Sequence, residues 1–121
     1  MIRSEYVATF AEELKNISEE LSVNRITTER CAIMKDRMRR CAKEGYRTYQ
    51  VELVKPKIEY EPGDIPENYQ IITIAYNHSI NDYVEGIYAY LINTLGFKPG
   101  DIENAKFHNS KYDSTQITIR W

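Results

Sequence analysis

The chain has 121 residues, a formal charge of −2, 42% hydrophobic side chains and 28% charged ones. That length fits one domain, and the composition is too apolar for a disordered chain and too near neutral to coat duplex nucleic acid by bulk charge. No stretch reaches the roughly 20 apolar residues of a membrane span, and no basic-then-apolar leader opens the sequence, so a cytoplasmic protein with no membrane contact is expected.

Ser4 to Leu21 carries Val7, Phe10, Leu14, Ile17 and Leu21 at alternating spacings of three and four, which predicts a helix with a narrow apolar stripe. Such a stripe packs along a second helix or along its own copy, and on that ground a homodimer is expected. Thr27 or Thr28 stands where a second helix would be capped. That helix runs to Glu44 with Cys31, Met34, Met38, Cys41 and Ala42 inward, and Gly45 takes the left-handed position after its end. One kinked helix from Ser4 to Glu44 is the alternative. Cys31 and Cys41 lie ten residues apart. That is roughly 15 Å along a helix, beyond disulfide reach, so both read as small buried hydrophobes.

From Tyr46 to Val54 the period changes to two, with Tyr49, Val51 and Leu53 alternating with Thr48, Gln50 and Glu52, which predicts a half-buried strand. Lys55 to Glu67 is acidic and broken by Pro56, Pro62, Gly63 and Pro66, a long exposed loop. Tyr69 to Tyr76, rich in Ile and Thr, predicts a second strand. Asn77-His78-Ser79 turns the chain, and Asn81 or Asp82 caps an amphipathic helix to Leu95 with Val84, Ile87, Tyr88, Leu91 and Ile92 inward. Gly96 closes it, Ala105 to Asn109 predicts a short strand, and Thr115 to Trp121 is the last strand, with Ile117, Ile119 and Trp121 on one face. Helices and strands are partly segregated. The expected fold is therefore a single α+β domain with two N-terminal helices, a small, mostly antiparallel sheet of three or four strands, and one further amphipathic helix.

Three short motifs recur in small hypothetical accessory proteins of phages and prophages, and the chain resembles them over its last two thirds. A helix ends in Ala42-Lys43-Glu44-Gly45 before a strand, a later helix ends in Leu95-Gly96-Phe97, and the sequence finishes on the alternation Ile117-Thr118-Ile119-Arg120-Trp121. The segment from Pro56 to Tyr76 is longer than in that pattern. The resemblance implies a viral protein that engages, and inhibits, a host protein, in the host cytoplasm. It carries over no catalytic residue.

The residues themselves point to no covalent chemistry. His78 and His108, the only histidines, have neither metal-ligand spacing nor a readable nucleophile partner, the five glycines form no phosphate loop, and no cofactor is implied. Three features suit binding. Lys35, Arg37, Arg39, Arg40, Lys43 and Arg47 form a basic run fit for carboxylate or phosphate, with helix-dipole complementation as the bland account. Glu59, Tyr60, Glu61, Asp64, Glu67 and Tyr69 form an acidic, tyrosine-bearing loop that would dock on a basic partner or lie against the chain's own basic helix. Asn77, His78 and Ser79 open a helix whose backbone N–H groups suit an anion, although Asp82 and Glu85 oppose one. A host-protein ligand is the leading expectation and a nucleotide signal the next, with a DNA-binding regulator third.

Overall fold

The computed structural model describes residues 28–75 and 77–121. The expected helix Ser4 to Leu21, its dimer seam and the choice between one helix and two lie outside the described residues.

A helix, α1, runs through residues 28–43. Cys31, Met34, Met38 and Cys41 recur at spacings of three and four and are all buried, the stripe expected of a helix laid on a core. Its end is set by glycine. Gly45 takes a φ of +95°, the Tyr46 N–H reaches back to the Cys41 carbonyl at 3.0 Å, and the Gly45 N–H reaches that of Ala42 at 3.1 Å. This pair of bonds is a Schellman closure, and only glycine adopts that φ without strain.

Four strands follow: β1 (Thr48–Pro56), β2 (Tyr69–Thr73), β3 (Ile102–His108) and β4 (Tyr112–Arg120), arranged β2-β1-β4-β3. The β1–β4 and β3–β4 pairs are antiparallel, as expected, but β1 and β2 run parallel, so the sheet is mixed. The reason lies in residues 57–68. A parallel neighbour needs a crossover of about a dozen residues, and this irregular stretch returns the chain to the start of β1 before β2 begins.

Several element ends also differ from the sequence expectation. β1 begins at Thr48 and includes Pro56, which is tolerated because β2 has already ended opposite Val54. β2 stops at Thr73, β3 starts three residues early at Ile102, and β4 starts at Tyr112. The helix after β2, α2 (Ile80–Ala89), is preceded by Ser79 and passes into a π-helical turn, Tyr90–Thr94, before Gly96 at φ +80°.

Both helices contribute to one core on one sheet face. Tyr49, Val51, Leu53, Ile72, Ile117 and Ile119 from the sheet meet Met34, Cys41, Tyr83, Ile87 and Leu91 from the helical side. The Tyr49 hydroxyl donates to Gln70 Oε1 at 2.9 Å, which satisfies a buried amide oxygen inside this layer.

The opposite face is polar. The Tyr69 hydroxyl donates to Glu52, a carboxylate only 8% exposed, and accepts from Gln116 Nε2 at 3.3 Å. Tyr60 of the 57–68 connection meets Tyr112 edge-on with ring centroids 5.6 Å apart, which lays that connection against this face. Among the described residues no helix is long and apolar enough to cross a membrane.

Candidate anion-binding cleft

At the end of the sheet where β1 finishes, a cleft of about 460 Å³ opens between the strands and the start of α2. Its wall contains the turn residues Asn77, His78 and Ser79 singled out from the sequence, together with Lys55, Lys106, His108 and Asp113. The second group follows from strand alternation. Lys55 continues the inward row of Val51 and Leu53, Asp113 continues that of Ile117 and Thr115, and Lys106 and His108 lie in phase with Ile102. Each inward row turns from apolar to polar at the same end of the sheet.

The two histidines are held differently. His78 Nδ1 lies 3.0 Å from the Tyr83 hydroxyl. Burial raises the Tyr83 pKa, so the phenol keeps its proton in this contact. His108 Nδ1 lies 3.0 Å from Asp113 Oδ1, and a carboxylate only accepts, so here Nδ1 carries a proton. Asp113 also meets Lys57 Nζ at 3.3 Å, and these contacts hold its carboxyl below the usual range, with the His108 hydrogen bond the largest cause. The Lys55 ammonium donates to the His78 carbonyl at 2.9 Å, which ties β1 to the turn before α2.

Asp113 is thus already occupied by cationic or N–H partners, whereas Lys106 stands exposed in β3 without an ion pair among the described residues. Ser79 makes no side-chain cap to α2, and Ser79, Ile80 and Asn81 at the start of that helix line the same cleft. The cleft brings two ammonium groups and two imidazole rings beside the start of α2, with Asp82 in the first turn opposing an anion.

At 3.6 residues per turn the helical part of the basic run spreads around the exposed side of α1. Arg37 and Arg40 turn toward Ile65, Pro66 and Glu67, and Arg37 donates to the Tyr69 carbonyl at 3.3 Å. Lys35, Arg39 and Lys43 lie along another flank, with Arg39 3.7 Å from Asp36, and Arg47 follows beyond the helix. The acidic loop divides. Glu67 sits beside the basic helix: its carbonyl accepts from Cys41 Sγ, and its carboxyl shares a hydrogen bond with Glu44 that raises the Glu44 pKa. Glu59, Glu61 and Asp64 stay exposed, Tyr60 packs on Tyr112, and Tyr69 belongs to β2 and not to the loop.

Cys31 and Cys41 are buried free thiols. Desolvation pushes the Cys31 pKa up to about 11. Among the described residues no three His, Cys, Asp or Glu side chains converge to hold a metal ion. No family model, no curated protein and no solved structure matches the chain.

Proposed function

We propose that the protein acts by binding, without covalent chemistry, and that the cleft at the end of β1 seats a phosphate- or carboxylate-bearing small molecule of nucleotide size. The observation that carries this reading is the convergence of Lys55, Lys106, His78 and His108 on one cleft at the start of α2. The donors suit an oxyanion: two ammonium groups and the first N–H groups of a helix. A thermal-shift series with inorganic phosphate, cyclic nucleotides and ADP-ribose tests it. Ligand at about 100 times its Kd stabilises the fold by roughly 2.7 kcal/mol, a readily measured rise in Tm. The shift is expected to disappear in Lys106→Glu, a change on an exposed edge strand that leaves the core intact. A series in which no compound moves Tm, or in which Lys106→Glu responds as the parent does, defeats the proposal.

A second reading is an accessory protein that engages a host protein, as the resemblance to phage proteins implies. It is supported by the 57–68 connection, where Ile58 is 56% and Ile65 42% exposed among the acidic Glu59, Glu61 and Asp64. Apolar anchors inside an acidic rim suit a basic protein surface. Affinity capture from host lysate with the parent chain and with Ile58→Asp/Ile65→Asp tests this. A partner retained by the parent and lost by the variant supports the reading, and recovery of no specific partner removes it.

A further inference from the structure

At the other end of the sheet, some nine strand residues from the cleft, Ala42, Gly45, Tyr46, Arg47 and Trp121 line a shallow groove of about 320 Å³. Tyr46 is 37% and Trp121 36% exposed, and the backbone joins them, since the Trp121 N–H donates to the Arg47 carbonyl at 3.1 Å. The flank of α1 that leads to this groove is basic. Lys35, Arg39 and Lys43 follow one another at four-residue spacing, and Ala42, three residues after Arg39, forms the groove wall.

Lys35, Lys43 and Arg47 are exposed and pair with no carboxylate among the described residues, and the Arg39–Asp36 contact is an exposed pair that contributes little. The other cations of the run, Arg37 and Arg40, line a separate pocket with Ile65, Pro66 and Glu67. Positive charge is therefore concentrated beside the aromatics in a chain whose net charge is −2.

We propose that this strip, from Lys35 through Lys43 to the Tyr46–Trp121 groove, binds single-stranded nucleic acid, with one or two bases stacked on the two aromatic rings and the adjoining phosphates on Lys35, Arg39, Lys43 and Arg47. The chemistry is that of a stacking platform at the end of a cationic track. Eight residues of helix cover about 12 Å, enough for two phosphates beyond the stacked bases. A duplex has no free base face to offer the groove, so the geometry favours a single strand over a helix. The proposal stands independently of the anion cleft.

Trp121 is the only tryptophan, so intrinsic fluorescence reads this groove directly. The test titrates the full chain with the eight-nucleotide strands oligo(dT) and oligo(rU) at low salt, following Trp121 emission and the anisotropy of labelled strands. Quenching with saturable binding is expected. Three to four released counterions give a log–log salt slope of about −2 to −3, since each phosphate contact contributes about −0.7 for single strands. Tyr46→Ala is expected to weaken binding by roughly 5- to 150-fold, the range for loss of one stacking surface. Arg39→Gln and Lys43→Gln should each lower the slope by about 0.7, and Lys111→Gln, at the β3–β4 turn, should change nothing. Preference for DNA or for RNA identifies which strand the site takes. The proposal is overturned by absent quenching and anisotropy change at 50 mM salt with ~100 μM strand, by tighter binding of a duplex of the same length, or by Tyr46→Ala and Lys43→Gln chains, folded by circular dichroism, that bind as the parent does.

Discussion

Replacing Tyr49 by Phe removes one hydroxyl from a fully buried ring and leaves Gln70, only 4% exposed, without its donor. A buried acceptor left unpaired costs about 1–3 kcal/mol, and for a chain of this size each kcal/mol lowers Tm by roughly 3–6 °C. Gln70→Leu makes the reciprocal defect by stranding the phenol. Its cost should fall in the same range, because the Arg37 guanidinium beside that hydroxyl only donates and cannot replace the lost acceptor. The double variant Tyr49→Phe/Gln70→Leu exchanges a satisfied polar pair for apolar groups of similar volume, so it should recover most of the loss, with a coupling energy of about 1 kcal/mol or more. The assay is urea denaturation of all four chains, read as ΔG at unchanged m. In the parallel register Gln70 faces Val51, one inward position along from Tyr49. Additive single effects, or single variants as stable as the parent, would refute the bond.

The remaining predictions concern groups whose burial is unusual. Ser114 Oγ is buried without a partner, so Ser114→Ala should raise stability by about 1 kcal/mol in the same urea assay; a loss of that size would mean the hydroxyl is satisfied. Tyr69→Phe deprives the buried Glu52 carboxylate of its donor and should cost about 1.5–3 kcal/mol, whereas Tyr69→Phe in a Glu52→Leu background should cost much less, a difference read from the four-chain cycle. Raising the Cys31 pKa from 9.0 to about 11 means about 100-fold less thiolate at pH 8, so alkylation of the folded chain should be at least that much slower than in urea. Because the folded-state value lies above the unfolded one, the stability that depends on the protonated thiol is intact below about pH 9 and declines as pH rises toward 11. Equal alkylation rates with and without urea would sink this.

Much of α1 was legible because a helix needs only local information. The three- and four-residue spacing of Cys31, Met34, Met38 and Cys41 marks the buried stripe, and Gly45 marks the end. Strand alternation likewise identified Tyr49, Val51, Leu53, Ile117 and Ile119 as inward. Periodicity says which side chains face the core but not which strand lies alongside, so the parallel β1–β2 pair, fixed by an irregular connection, was not readable. The early starts of β3 and β4 were missed because Glu103, Asn104, Asp113 and Ser114 are polar, and their pairing comes from cross-strand partners and not from their own propensity. Of the cleft, the turn Asn77-His78-Ser79 was visible as a helix start. Lys55 and His108 were not, since 53 positions separate them and only the register of β1 on β4 and of β4 on β3 brings them to one wall. Within the basic run, the sequence does not say that Arg37 and Arg40 lie beside Glu67, since that depends on where the 57–68 connection runs.

The inward rows of β1 and β4 explain why the polar features lie where they do. Along β1 the row reads Arg47, Tyr49, Val51, Leu53, Lys55, and along β4, in the reverse direction, Trp121, Ile119, Ile117, Thr115, Asp113. The middle of each row is sealed under α1, α2 and the π turn, with Val51, Leu53, Ile117 and Ile119 all at 0% exposure, so no ligand reaches the sheet there. The helical layer leaves the row ends uncovered, and there the side chains become long, charged or aromatic, able to pack a stem against the last apolar neighbour while keeping the head in water. One end collects ammonium and imidazole groups around a helix start, and the other collects two aromatic rings and the cations of α1. Substitutions in mid-row should therefore change stability and leave recognition to the end residues, whereas changes at Lys106 or Tyr46 should alter binding with little effect on the denaturation midpoint. If a mid-row change such as Ile117→Val shifted ligand affinity as much as an end-row change, this division of the sheet would be wrong.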